Sequence, residues 1–143
     1  MDVVIDDREK NEKIIMEMAE IGMFPIVERL KVGDYKCKKG NVEVVIEMKS
    51  IDDFCLSIMD GRLSKQVEAM KEIKHSYVLV YGKLSDRKVE INENCIIGKY
   101  ISMIMKGVKI VWVDNERQVA YAMKRIFERC IETEGGEKDG EEK

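Results

Sequence analysis

The 143 residues, 45% hydrophobic and 37% charged with a net charge of −3, suffice for one globular domain with a substantial core. No stretch approaches the roughly 18 apolar residues of a membrane span, and "MDVVIDDREK" lacks the basic-then-apolar order of a secretory signal, so a cytoplasmic or nucleoid-associated location is expected. Four scattered cysteines and a single histidine argue against a zinc site, a disulfide framework or a histidine-based triad, so any metal would be held by oxygens.

Along the chain, "VVID" (3–6) reads as a short strand, and residues 9–21 as a helix with Ile14, Ile15, Met18 and Ile21 on one stripe and Gly22 as its stop. "PIVERL" (25–30) suits a second strand, and 33–49 a hairpin turning at Gly40-Asn41. A short helix is expected over 51–59 and another from Gly61 to about Ile73, followed by a buried strand at 76–82. The rest reads as a helix at 94–105, a strand at 108–113 and a final helix at 115–131. Strands pairing antiparallel near the start and alternating with helices later predict an α/β sandwich, a mixed sheet with helices on both faces. Residues 132–143 hold six acidic and two basic residues and no apolar one, so a disordered acidic tail is expected there, after a domain of 1–131. That leaves a body of net charge +1, which neither excludes nor advertises an anionic partner.

The chemistry concentrates in "VVIEMKSIDD" (44–53). Alternation along a strand puts Val45, Glu47 and Lys49 on one face and Val44, Ile46 and Met48 on the other. A carboxylate and an ammonium then share the end of an otherwise buried strand. On the other arm of the hairpin, Asp34 follows Gly33. Two carboxylates converging beside a lysine form the minimal site of a divalent-metal phosphodiesterase: oxygens for a hard cation such as Mg²⁺ or Mn²⁺, and an ammonium for the charge of the transition state. Asp6, at the end of the first strand, is either a third carboxylate on this rim or a cap for the helix that follows. Ser50-x-x-Asp53 reads as a capping box opening the 51–59 helix.

Four segments in order, "IDDRE" (5–9), "VGDY" (32–35), "IEMKSIDD" (46–53) and "GRLSKQ" (61–66), resemble the nuclease domain of the XPF family of structure-specific DNA endonucleases, archaeal XPF and Hef among them. The family belongs to the restriction-endonuclease-like superfamily. The resemblance implies a restriction-endonuclease-like three-layer sandwich and metal-dependent cutting near the junction of 3′-flap or fork DNA, in repair or replication-fork processing. It implies Asp34 and Glu47 as metal ligands with the Met48 carbonyl as a further oxygen, and Lys49 as the catalytic lysine. Asp6 would join the catalytic rim, Arg8, Glu9, Arg62, Lys65 and Gln66 would contact substrate, and Asp53 would support the site. One residue departs from the pattern: Met48 stands where the family has arginine, on the face pointing away from Glu47 and Lys49.

The family's DNA affinity leans on a helix-hairpin-helix module that these residues lack, so weak, salt-sensitive binding to flaps and forks is expected. The resemblance also implies a homodimer through the C-terminal helices, or a heterodimer with a partner bearing that module. Two alternatives stay open: a non-catalytic DNA-binding or scaffold subunit, and a junction resolvase of the same superfamily.

Overall fold

The computed structural model describes residues 2–135. In chain order the elements are β1 (Val3–Asp6), α1 (Glu12–Glu20), β2 (Ile26–Glu28), β3 (Tyr35–Lys39), β4 (Val42–Ser50), α2 (Ile51–Met59) and α3 (Arg62–Met70). They continue as β5 (His75–Tyr81), α4 (Glu93–Met105), β6 (Lys109–Val113) and α5 (Glu116–Gly135). Six strands make one mixed sheet in the order β2-β1-β3-β4-β5-β6. The expected antiparallel start is only partly found. β1 pairs antiparallel with β3, and β3 with β4, but β2 lies parallel to β1 at the sheet edge. The reason is α1, a helical crossover that returns the chain to the same end of the sheet before β2 begins. β4, β5 and β6 run parallel.

Side-chain alternation sorts two cores onto the two faces. Val44, Ile46, Met48 and Leu79 pack with Ile14 and Met18 of α1 and with Val119, Met123 and Phe127 of α5. Val78 and Val80 pack on the other face with Phe54 of α2, Leu63 and Val67 of α3, and Ile96 and Met103 of α4. The result is a three-layer sandwich of the restriction-endonuclease type. Trp112 belongs to this second layer; it meets Phe54 and Tyr100 edge-on and donates to the Gly82 carbonyl at 2.6 Å.

Local signals set several boundaries. Asn11 caps α1 by accepting from the Ile14 amide at 3.1 Å, and Ser50 caps α2 by accepting from the Asp53 amide at 3.1 Å. β4 therefore passes into α2 with no intervening loop. α3 stops at Met70, short of Ile73. α5 runs beyond residue 131 to Gly135, and Glu134 binds His75 and Lys74 at the start of β5. The remainder of the expected tail, 136–143, lies outside the described residues.

Candidate active site

Glu47 and Lys49 stand at the C-terminal end of β4, 8% and 3% exposed, on the face toward α2 and α3. Asp34 reaches them because of the residue before it. Gly33 has φ +80°, and a Cβ there would lie 2.3 Å from Val45 Cγ1 and 3.2 Å from the Ile46 carbonyl oxygen, so only glycine lets the chain turn this close to β4. Asp34 then pairs on both sides: its amide donates to Ile46 at 2.9 Å, and its carbonyl accepts from the Asp6 amide at 2.8 Å. The Asp34 carboxylate turns onto β4, where Oδ2 accepts from the Met48 amide at 2.7 Å.

Burial, reinforced by Asp34 beside it, pushes the Glu47 carboxyl up to about 9. Burial also raises Asp34, although the Met48 amide and Lys49 pull the other way. Glu9 is raised too, first by burial and then by Asp34. These acids are short of positive charge. Lys49 supplies part of it, 3.9 Å from Glu47 Oε2, and its ammonium is also held 3.4 Å from Asp53 Oδ2. Gln66 approaches Glu47 from α3 with Nε2 3.5 Å from Oε2, while its Oε1 is buried without a partner among the described residues.

Asp53 enters the cap of α2 only as the donor, its backbone amide giving to Ser50 Oγ. Its carboxylate joins Lys49 to Arg62, whose Nη2 lies 3.2 Å from Oδ1, and Arg62 in turn holds Asp60 through Nε at 2.8 Å. Asp6 does not cap α1, which Asn11 does. It accepts instead from the Leu30 amide at 2.8 Å and from Arg8 Nε at 2.8 Å, and Arg8 also donates to the Leu30 carbonyl at 2.8 Å. The hydrogen bonds from Arg8 hold the Asp6 carboxyl down at about 2. Met48 is buried in the α1/α5 core, so the departure from the family's arginine lies on the far side of the sheet from Glu47 and Lys49.

A cleft of about 320 Å³ opens over these groups, lined by Asp6, Arg8, Glu9, Gly33, Asp34, Glu47 and Gln66, with Lys31 and Ala69 on its walls. Lys65 is exposed on α3 and does not line the cleft. Lys31 has no signal in the sequence, because a lone lysine in a loop carries no periodicity.

The sandwich and its acidic cleft define a nuclease-type domain. The ERCC4 domain family matches residues 5–126, and the chain belongs to that family. It is an XPF-like nuclease domain, homologous to structure-specific DNA endonucleases. It is 29% identical over 130 residues to the 3′-flap repair endonuclease Xpf of Saccharolobus solfataricus, covering 89% of this chain and 54% of that one. It is 31% identical over 129 residues to a Methanocaldococcus jannaschii protein that carries the name of an ATP-dependent RNA helicase, covering 89% and 15%. XPF from Aeropyrum pernix has the same fold, with a TM-score of 0.79 at 21% identity over 90% of this chain and 60% of that one. The same protein in complex with DNA gives 0.77 at 21% over 88% and 62%. The chain thus spans less than two thirds of each relative.

Proposed function

We propose that this domain hydrolyses the phosphodiester backbone of branched DNA near the junction of flaps or forks, as a divalent-metal-dependent endonuclease. One observation carries the reading: Asp34, from the turn before β3, and Glu47, on β4, converge in one open cleft with both carboxyls raised, and the buried Lys49 ammonium stands 3.9 Å from Glu47. The donor set fits a hard cation. Among the described residues no group of three His, Cys, Asp or Glu side chains is arranged as a metal cage. The protein's share would be the Asp34 and Glu47 carboxylates with the Met48 carbonyl, and Mg²⁺ or Mn²⁺ tolerates such a shell because it keeps several waters.

When bound, the cation polarises the scissile phosphate and makes water a better nucleophile. The chain's own groups then divide the work. Lys49, fixed between Glu47 and Asp53, presents its ammonium to the oxygens that gain charge as water adds to phosphorus and the bridging P–O bond breaks. Arg62 keeps Asp53, and through it Lys49, in place. Gln66 steadies Glu47. Asp6 and Arg8 hold the loop that precedes Asp34, while Glu9 and Lys65 flank the approach of the substrate.

Dimerisation through α4 belongs to the same reading. Ile97, Ile101 and Ile104 recur at helical spacing with 51%, 57% and 58% exposure, next to Met105, and a second copy would bury them. Light scattering at micromolar concentration should give twice the monomer mass; a strict monomer removes this part.

The decisive assay incubates the protein at low salt with end-labelled 3′-flap, fork, four-way junction and duplex DNA, in Mg²⁺, Mn²⁺ or EDTA, beside Glu47→Ala. Metal-dependent cutting near the branch, lost in Glu47→Ala, is expected. Cutting confined to the four-way junction would assign a resolvase. No cutting by folded protein in either metal would leave a DNA-binding or scaffold subunit, the reading kept open by Met48 in place of the family's arginine.

A further inference from the structure

We propose that Lys31 is a substrate-positioning residue, gripping a backbone phosphate of the DNA strand where it leaves the catalytic cleft; this rests on the nuclease reading. The argument begins with how the residue is mounted. On one side, Leu30 is buried and tied through its amide to Asp6 and through its carbonyl to Arg8, both at 2.8 Å. On the other side, Val32 packs against the core beneath α2 and α3. Two residues on, Gly33 and Asp34 are sealed against β4. An exposed lysine is thus raised from a backbone pinned on both sides.

Its charge is also available. Arg8 is engaged by Asp6, Arg29 by Asp7, Lys36 by Glu43, and Arg62 by Asp53 and Asp60. Lys49 is buried between two carboxylates. Lys31 has no hydrogen bond or ion pair among the described residues, although it borders a cleft carrying four carboxylates. A cation at the mouth of such an acidic cleft favours the approach of an anionic strand. Lys31 and Val32 also form the ridge between this cleft and a second groove of about 570 Å³ on the uncovered face of β1 and β3, where Lys38 lies. A strand passing out of the cleft over that ridge meets Lys31 first. Contacts of this kind fix register without reading bases.

The test is single-turnover cleavage of labelled fork DNA in Mg²⁺, with protein concentration varied at several salt concentrations, for wild type, Lys31→Ala, Lys31→Arg and Lys39→Ala. The last removes the same charge from the C-terminal end of β3, away from the cleft. Lys31→Ala is expected to raise the half-saturating concentration about tenfold and to lower the salt slope by roughly one, with the saturated rate kept. Lys31→Arg should restore binding, and Lys39→Ala should match wild type. Equal half-saturation and slope in Lys31→Ala would overturn the assignment and leave the nuclease reading standing. A drop in the saturated rate alone would also overturn it, and an equal loss in Lys39→Ala would reduce it to net charge. If wild type cuts no DNA, the nuclease reading and this inference fall together.

Discussion

Replacing Glu47 with glutamine should stabilise the metal-free protein at neutral and alkaline pH. The carboxyl has an ordinary value of 4.5 and a folded value of about 9, because burial and Asp34 disfavour its charge. Between those values the folded protein keeps a proton that the unfolded chain has released, so stability falls as pH rises through that window, by about 1.4 kcal/mol per pH unit. Carried from 4.5 to pH 7 this amounts to about 3 kcal/mol, and water in the open cleft screens part of it, leaving about 1–3 kcal/mol. The glutamine side chain is isosteric and cannot charge. Lys49 keeps Asp53 at 3.4 Å, so the substitution does not strand the ammonium. Thermal melts in EDTA should show wild type losing stability from about pH 5 to 8.5, and Glu47→Gln flatter and about 3–10 °C higher at pH 7. A wild-type melting temperature independent of pH across that range, or a variant less stable than wild type at pH 8, would refute the reasoning.

Divalent cation should act in the opposite sense. A Mg²⁺ concentration ten times the dissociation constant at pH 7 should stabilise wild type by about 1.4 kcal/mol there, and the same concentration should stabilise it more at pH 8 than at pH 6 because a proton must leave; Glu47→Gln should be unmoved, and calorimetry reads both. Lys49→Met should fold yet lose about 100-fold or more in single-turnover cleavage, and near-wild-type cutting would remove the lysine from the mechanism. Gly33→Ala should cost about 2–5 kcal/mol in denaturant melts, from the left-handed backbone together with the contact on Val45, and a neutral result would show that the turn relaxes. Asp6 carries the reverse pH dependence. Its folded value of about 2 lies below the ordinary 3.8, so the stability it contributes is present above about pH 4 and lost as pH falls through 2. Asp6→Asn should melt lower than wild type at pH 7, and the gap should close near pH 2.

Much of this molecule was legible in short-range pattern. Strand alternation alone placed Glu47 and Lys49 on one face and Met48 on the other, as found, because a side chain's face depends only on its own strand's period. The α2 span and its Ser50 cap follow likewise from residues within one helical turn. Other features depend on contacts between segments. β2 lies parallel to β1 because α1 carries the chain back, which residues 25–30 do not encode. Asp6 reaches Leu30, 24 positions away, and Asp53 reaches Arg62 from the next helix; neither carboxylate makes the local helix cap that its position offered, and each adds a distant contact to a near one, Arg8 for Asp6 and Lys49 for Asp53. Lys31 becomes part of the cleft only because Asp6, Arg8 and Gly33 fix the loop that carries it. Periodicity and capping act over a few residues, whereas strand order and side-chain partners across the sheet are decided when the chain closes on itself and buried charges must find counter-charges wherever packing has put them.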